Sequence, residues 1–504
     1  MVIDMGDKTK KIESLLLLSC RSPFLADDKI YAPMANLYLK SYINKHLPYL
    51  NVVLADDDYN IKSEVIGTDG GQVRKYVVDE KGYLALDEKT EAMFEQFDAM
   101  GISIMTPQRE EAHAILRAVK ERWPNKIVIA GGPHVKNYLG KMLEANEPYD
   151  YLVPLDGEKV LVGVLNGQID NFQRPYNRIG VKNGKHIITE QINDPRVLVD
   201  IMSKDDIRNA PRPDRTSENA VNIINRYHYT LGGRESTTMM TARGCPERCT
   251  FCEDAMTPVK RSSLENLCLE MDDIKAMGFR GAYIFDDLFA LSIRDTEEIC
   301  KELKKRDLIF RCNAQARYFT KWGEDFAKML VYNGCYEIAF GAETGSQKIL
   351  DNIQKRTTVE MNYKTVEYAK KHGLIVKAFI LLGLPGENRE TLKETEKFIA
   401  NSGIDDFGAY IYYPFMGTQI RDDLDAGEDP GLAMSVEEGL GAYATIDGGS
   451  EAIIYTPDLS AQDLLNFRKY LVRTYRPESN IFEWKDKFRD IPLASNVEYN
   501  SYKK

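Results

Sequence analysis

The sequence predicts an α/β protein in two main parts: an N-terminal doubly wound parallel sheet, then a partial (β/α)6 barrel. Three observations predict it. Short apolar runs of strand length alternate with helix-spaced segments through residues 12–165, the pattern of strands buried on both faces by crossover helices. Six further strand–helix units follow between residues 236 and 428, too few for a complete eight-fold barrel. Several helical segments in that stretch end in glycine, a common C-terminal cap. The divisions read from the sequence are 1–165, a connector at 166–235, the barrel at 236–428 and a helical region at 429–504.

Composition bounds what such a chain does. Its 504 residues suit two to three domains, and 43% hydrophobic with 28% charged residues excludes wholesale disorder. The apolar runs around Leu15–Leu18 and Ala378–Leu382 are strand-sized, so no membrane span is expected. The N-terminus carries Asp4 and Asp7 and lacks a secretory pattern, giving a cytoplasmic expectation. A net charge of −11 with no basic block argues against a nucleic-acid partner. Eight cysteines do not suggest a disulfide framework.

In the N-terminal part, IESLLLLS reads as a strand, MANLYLKSYINKHL as a helix and NVVLADDD as the next strand. Strand AMGISIMT, helix REEAHAILRAVKERWP, strand KIVIAGGPH, helix KNYLGKMLEANE and strand YDYLVPLDGE complete the sheet. Ligands bind such sheets at the carboxyl ends of the strands. Two glycine-bearing loops fall there: Gly131-Gly132-Pro133-His134 and Asp156-Gly157-Glu158. Glycines let a bulky ligand approach the backbone. A dinucleotide reading is weak because no G-x-G-x-x-G turn follows the first strand. Asp56–Asp58 are therefore read as solvated loop residues or caps. In the connector, Asn183-Gly184 between RIGVK and KHIITE signals a hairpin, and APRPDR is an extended stretch.

The barrel strands are STTMMTA, GAYIFDD, IFRCNAQA, YEIAFGAE, KAFILLGLP and DFGAYIYYP. After the first comes TARGCPERCTFCEDA, with Cys245, Cys249 and Cys252 in C-x-x-x-C-x-x-C spacing. Three thiolates can hold three irons of a cubic [4Fe–4S] cluster and leave the fourth without a protein ligand. The competing reading is zinc, which usually takes four ligands; no His or Cys lies close after Cys252 to complete the set. Cys20, Cys268, Cys300, Cys312 and Cys335 read by default as inert buried thiols. The last stretch, including DLLNFRKYLVRTY, reads as helical packing against the barrel.

The cysteine loop resembles that of the radical SAM family. The resemblance implies that the open iron chelates the methionine part of S-adenosylmethionine, and that an electron breaks a C–S bond to give a 5′-deoxyadenosyl radical. The GGPH loop and the partly matching LDGE loop resemble the Rossmann/flavodoxin-like cobalamin-binding domain found ahead of many such TIM-type cores. A corrinoid-free flavodoxin-like domain is the alternative. The D-x-H-x-x-G motif that supplies a lower-face histidine elsewhere is absent, and His134 reads as a turn residue before it reads as a ligand. The run GAETGS…ILDNIQKRTT…GLIVKAFILLGLPGE resembles the cobalamin-dependent subgroup, and the likeness covers about residues 12–425.

By that resemblance Asp286 and Asp287 receive the methionine ammonium, and one of Asn313, Gln315 and Arg317 reaches the ribose or carboxylate. Glu343 hydrogen-bonds S-adenosylmethionine, while Ile380 and the backbone from Gly383 flank the adenine. Gly131, Gly132, His134, Gly157 and Glu158 form the corrinoid loops. The implied activity is methylation of an unactivated carbon of a small-molecule, natural-product-like substrate, with an external electron donor. Radical cyclisation, ring rearrangement or C–C bond formation without methylation is the second expectation, and a non-catalytic corrinoid or zinc protein the third.

Overall fold

The computed structural model describes residues 11–21, 29–56, 58–59, 63–68, 71–78, 80, 83–182, 184–435 and 452–476. Asp57, Asn183 of the expected hairpin turn, residues 436–451 and the tail 477–504 lie outside the described residues.

The N-terminal sheet has five parallel strands: β1 (Ser14–Ser19), β2 (Asn51–Asp56), β3 (Ala99–Ser103), β4 (Ile127–Gly131) and β5 (Tyr151–Val153), in the order β2-β1-β3-β4-β5. Leu15 to Leu18 are all buried, as a continuous apolar run requires when helices cover both faces. Helices α1 (Met34–His46), α2 (Arg109–Arg122), α3 (Pro133–Glu144) and α4 (Glu158–Leu165) supply that cover. The strand order reverses at β1 and β3, and ligand crevices of doubly wound sheets open at such a point. A hairpin, Ser63–Thr68 with Gly71–Tyr76, was not anticipated from the sequence. The expected connector hairpin forms as Tyr176–Lys182 paired with Lys185–Ile192.

The second sheet contains β6 (Arg234–Met239), β7 (Gly281–Ile284), β8 (Ile309–Ala314), β9 (Cys335–Glu343), β10 (Ile375–Leu382) and β11 (Asp406–Ile411). They are parallel and adjacent in chain order, a six-stranded half-barrel. An unanticipated edge strand, Tyr229–Leu231, runs antiparallel to β6. Side chains on β10 alternate between buried and half-buried along its whole length. The buried set (Val376, Ala378, Ile380, Leu382) packs under the outer helices, and the alternate set faces the bore. By the same period Cys312 lies on the helix side of β8, where it and Cys300 join the core. Cys20, Cys300, Cys312 and Cys335 are buried; Cys268 is half-buried. Helix α5 (Ala461–Tyr475) packs against β11, with Arg468 Nε donating to the Ala409 carbonyl at 2.9 Å. Among the described residues, no helix is long and apolar enough to cross a membrane.

Candidate active site

The three cysteines sit on a loop leaving the C-terminal end of β6. Its neck is a short antiparallel ladder, Ala242–Arg243 against Lys260–Arg261. Gly244 turns the chain into the loop at φ 93°, and a Cβ there would strike the Pro258 carbonyl. Its N–H donates to Asp287 Oδ2 at 2.8 Å, the Cys245 N–H to Thr257 Oγ1 at 2.8 Å and the Cys252 N–H to the Cys249 carbonyl at 3.1 Å. The Thr250 N–H reaches the Ile353 carbonyl at 3.1 Å, tying the loop to the far side of the barrel. Burial raises the pKa of all three thiols, carrying Cys245 up to about 11, and the Cys249 thiol adds to the rise at Cys245 and Cys252. Neutral thiols at that depth become ligands by giving their protons up to a metal. Among the described residues, no three His, Cys, Asp or Glu side chains converge on a single ion. A cubane does not ask them to, because each thiolate binds a different iron. The donor set fits the cluster and leaves zinc without a fourth ligand.

Around this loop the residues expected at the strand ends take different places. Asp286 is buried, with its oxygens accepting from Thr241 N–H (2.6 Å), Ala242 N–H (3.1 Å) and the Thr241 hydroxyl. It fastens the start of the cysteine loop. Asp287 instead lines a cavity, and its carboxyl is pushed up to about 6 by burial and then by Asp254. Asn313 is engaged within the barrel, donating to the Asp286 carbonyl at 3.0 Å and accepting from Tyr283 at 3.1 Å. Gln315 keeps a buried side-chain oxygen with no protein partner, an open acceptor at the strand end. Arg317 pairs with Glu247, inside the cysteine loop, which also accepts from Tyr318 at 3.0 Å. Glu343 sits at a left-handed φ of 61° and accepts from Lys355 Nζ at 2.5 Å. The Lys355 ammonium lies 5.6 Å from the Phe251 ring centroid. Ile380 faces the helix layer, fully buried; the period of two turns its neighbour Leu381 toward the bore instead. Gly383, at φ 86°, donates its N–H to Glu387. Glu247 and Lys355 carried no spacing signal of their own, since both act through tertiary contacts 12 or more residues away in sequence.

Facing the cysteine loop is the carboxyl end of the N-terminal sheet. A cavity of about 280 Å3 lies between them, lined on one side by Gly131, Gly132, Gly157 and Glu158 and on the other by Met240, Arg243, Phe285 and Asp287. Gly132, at φ 96°, is forced: a Cβ would meet the Ile104 backbone at 2.8 Å. The bare backbone of this turn is a cradle that a side chain would fill. His134 does not line the cavity. It is 3% exposed, its ring stacks on Tyr138 at 4.8 Å, and Nδ1 is 3.4 Å from Thr106 Oγ1. Burial, with His113 and Arg109 beside it, lowers its pKa to about 3 and keeps it neutral. Asp56, read from the sequence as solvated, is buried and paired with Lys29 at 2.7 Å, because the chain returns over the end of β2.

Charged contacts join the two sides. Arg243 binds Glu158 at 2.7 Å and approaches Asp156 at 3.5 Å, and Lys260 binds Asp156 at 3.0 Å. Just after Cys252, Lys136 of α3 lies 3.3 Å from Asp254, and Asn137 donates to Glu253. The Asp156–Glu158 loop thus holds both strands of the neck, and the helix that follows the other glycine turn holds the segment beyond Cys252.

The family comparison matches the same two regions. Residues 239–399 match the model of the radical SAM superfamily, and residues 75–165 that of the B12 binding domain. The chain joins a B12-binding domain to a radical SAM domain. It is 27% identical over 330 residues to an uncharacterised methyltransferase of Pyrococcus horikoshii, covering 64% of this chain and 68% of that one. It is 25% identical over 331 residues to an anaerobic magnesium-protoporphyrin IX monomethyl ester cyclase of Rubrivivax gelatinosus, covering 63% and 57%. Its fold is that of the radical S-adenosylmethionine methyltransferase TsrM of Kitasatospora setae, solved with cobalamin and a [4Fe–4S] cluster (TM-score 0.61, 17% identity, 85% of this chain and 78% of that one). The cofactors that go with these domains are a [4Fe–4S] cluster, S-adenosylmethionine and cobalamin.

Proposed function

We propose that the protein methylates an unactivated carbon of a small molecule by cobalamin-dependent radical SAM chemistry. The observation that carries this is the shared cavity, whose walls are the glycine loops of the B12-binding domain and the neck of the cysteine loop. When bound, the cluster with S-adenosylmethionine supplies a hydrogen-abstracting radical and the corrinoid a transferable methyl group. The protein's share is positioning and exclusion of water. Cys245, Cys249 and Cys252 hold the irons. Asp287 and the unpartnered Gln315 oxygen offer acceptors for the ammonium and hydroxyl groups of S-adenosylmethionine. Lys355 neutralises Glu343, so that this carboxylate does not face Cys249 uncompensated. Gly131, Gly132 and Gly157 admit the corrinoid, and His134 stays in the core. An external reductant supplies the electron.

The relatives divide between methyl transfer and ring closure, and product mass separates the two outcomes. Anaerobically reconstituted protein with S-adenosylmethionine, a reductant and substrate should give 5′-deoxyadenosine and a product heavier by one methylene. Loss of hydrogen with no added carbon would assign the chain to the cyclising chemistry. No 5′-deoxyadenosine at all would reject the radical reading.

A further inference from the structure

The bore of the half-barrel is walled by aromatic rings that come from separate stretches of chain. Phe285, just past β7, and Tyr31, from the segment before α1, have ring centroids 5.4 Å apart at 55°. Tyr283 stands 4.9 Å from Phe285, and Tyr229 of the edge strand 5.8 Å from Tyr31. The rings meet tilted or edge-on rather than stacked, as the sides of a box do, and of these rings Phe285 and Tyr31 keep exposed surface. Phe285 is 42% exposed and Tyr31 41%, unusual for large aromatic faces turned into a barrel. Across the bore, Glu343 and Lys355 occupy the space over Gly341, and the Tyr410 ring folds down over Gly408, where a Cβ would meet it at 2.6 Å.

The charge at the foot of this space is already balanced. Arg311 lies 4.5 Å from the Tyr283 ring centroid and 3.0 Å from Glu337, while Lys377 binds Asp406 at 2.8 Å. Paired ions ask for no counter-ion from a ligand, so recognition here falls to ring faces. Phe285 also lines the cavity between the two cofactor loops, two residues before Asp287. A ring laid on it stands where both cofactors can be approached.

We propose that Phe285 and Tyr31 determine specificity for a planar, π-bearing, uncharged ring system, seated in the bore as the substrate of the reaction. This substrate class rests on the methyl-transfer reading for its role, and on the aromatic box alone for its binding.

The test is equilibrium dialysis of the anaerobic holoprotein, without reductant and with saturating S-adenosylmethionine, against 2-naphthol and its saturated counterpart decahydro-2-naphthol. The aromatic probe should bind at least about tenfold more tightly, and Phe285→Leu and Tyr31→Leu should each weaken it roughly fivefold to tenfold while leaving the saturated probe unchanged. Corrinoid and cluster absorbance shows that each variant is folded and loaded. Equal binding of the two probes, binding of neither, unchanged affinity in both variants, or expulsion of 2-naphthol by S-adenosylmethionine would overturn the proposal. 5′-Deoxyadenosine formation is followed separately. Its absence alongside intact probe selectivity would reject the radical reading and leave the aromatic site standing.

Discussion

Glu387 is a carboxylate held against its own ionisation. It is buried behind the turn after β10, accepts from the Gly383 N–H, and leaves its other oxygen without a partner. Burial pushes its carboxyl up to about 8 from an ordinary 4.5, against the downward pull of the Gly383 and Leu384 amides. Between those values the folded protein holds a proton that the unfolded chain has released. Stability therefore falls as pH rises through that window, by roughly 1 kcal/mol per pH unit, and levels off above it. Glu387→Gln keeps the shape and removes the charge. Its melting temperature should lose this part of the slope and exceed that of the unsubstituted protein at pH 8; identical slopes would reject the assignment. The cysteines make a sharper case. Each thiolate takes one iron, so Cys245→Ala, Cys249→Ala or Cys252→Ala alone should abolish S-adenosylmethionine cleavage, read as 5′-deoxyadenosine yield beside iron content. These three residues were legible from spacing because one short loop carries the whole ligand set. Lys355 was not, because nothing in sequence marks a lysine 12 residues after Glu343 as its partner. The Asp286–Asp287 pair was legible only as a pair: adjacent residues at a strand end point opposite ways, and the first is taken up by Thr241.

At the scale of elements, the two sheets could be read because apolar runs and glycine caps repeat through them, and the parallel order follows from the helices between. The edge strand Tyr229–Leu231 and the hairpin at 63–76 escaped because each is short and is completed only by the strand it pairs with. The grip between domains escaped for the same reason. Arg243 and Glu158 are 85 residues apart in number and meet only when both folds are formed. Glu158 is 4% exposed, so Arg243→Gln leaves a buried carboxylate without its cation, a loss of about 1–3 kcal/mol. Glu158→Gln in the same chain removes the orphaned charge and should restore most of that loss. A double-mutant cycle in urea midpoints on the cofactor-free protein measures the coupling, and additive single losses would show the pair to be idle.

Over the whole molecule, the active cavity belongs to neither domain. Its walls come from the ends of β4 and β5 on one side and from the cysteine-loop neck and Phe285 on the other. A ligand in it stabilises whatever must stay folded for the walls to coincide. Binding to the native state alone adds RT ln(1 + [L]/Kd), about 2.7 kcal/mol at a hundredfold excess over Kd. Were the corrinoid held by the N-terminal sheet alone, adding it would raise one calorimetric transition and leave the barrel's unmoved. With the walls shared and clamped by Arg243, Lys260 and Lys136, cobalamin should shift both domains upward together and merge their transitions. In the Arg243→Gln, Lys260→Gln, Lys136→Gln triple variant all three contacts of the clamp are cut, and the same addition should move only the N-terminal transition. Calorimetry of both proteins with and without cobalamin decides this. A barrel transition that ignores cobalamin in the unsubstituted protein would mean that the two domains hold their cofactors independently.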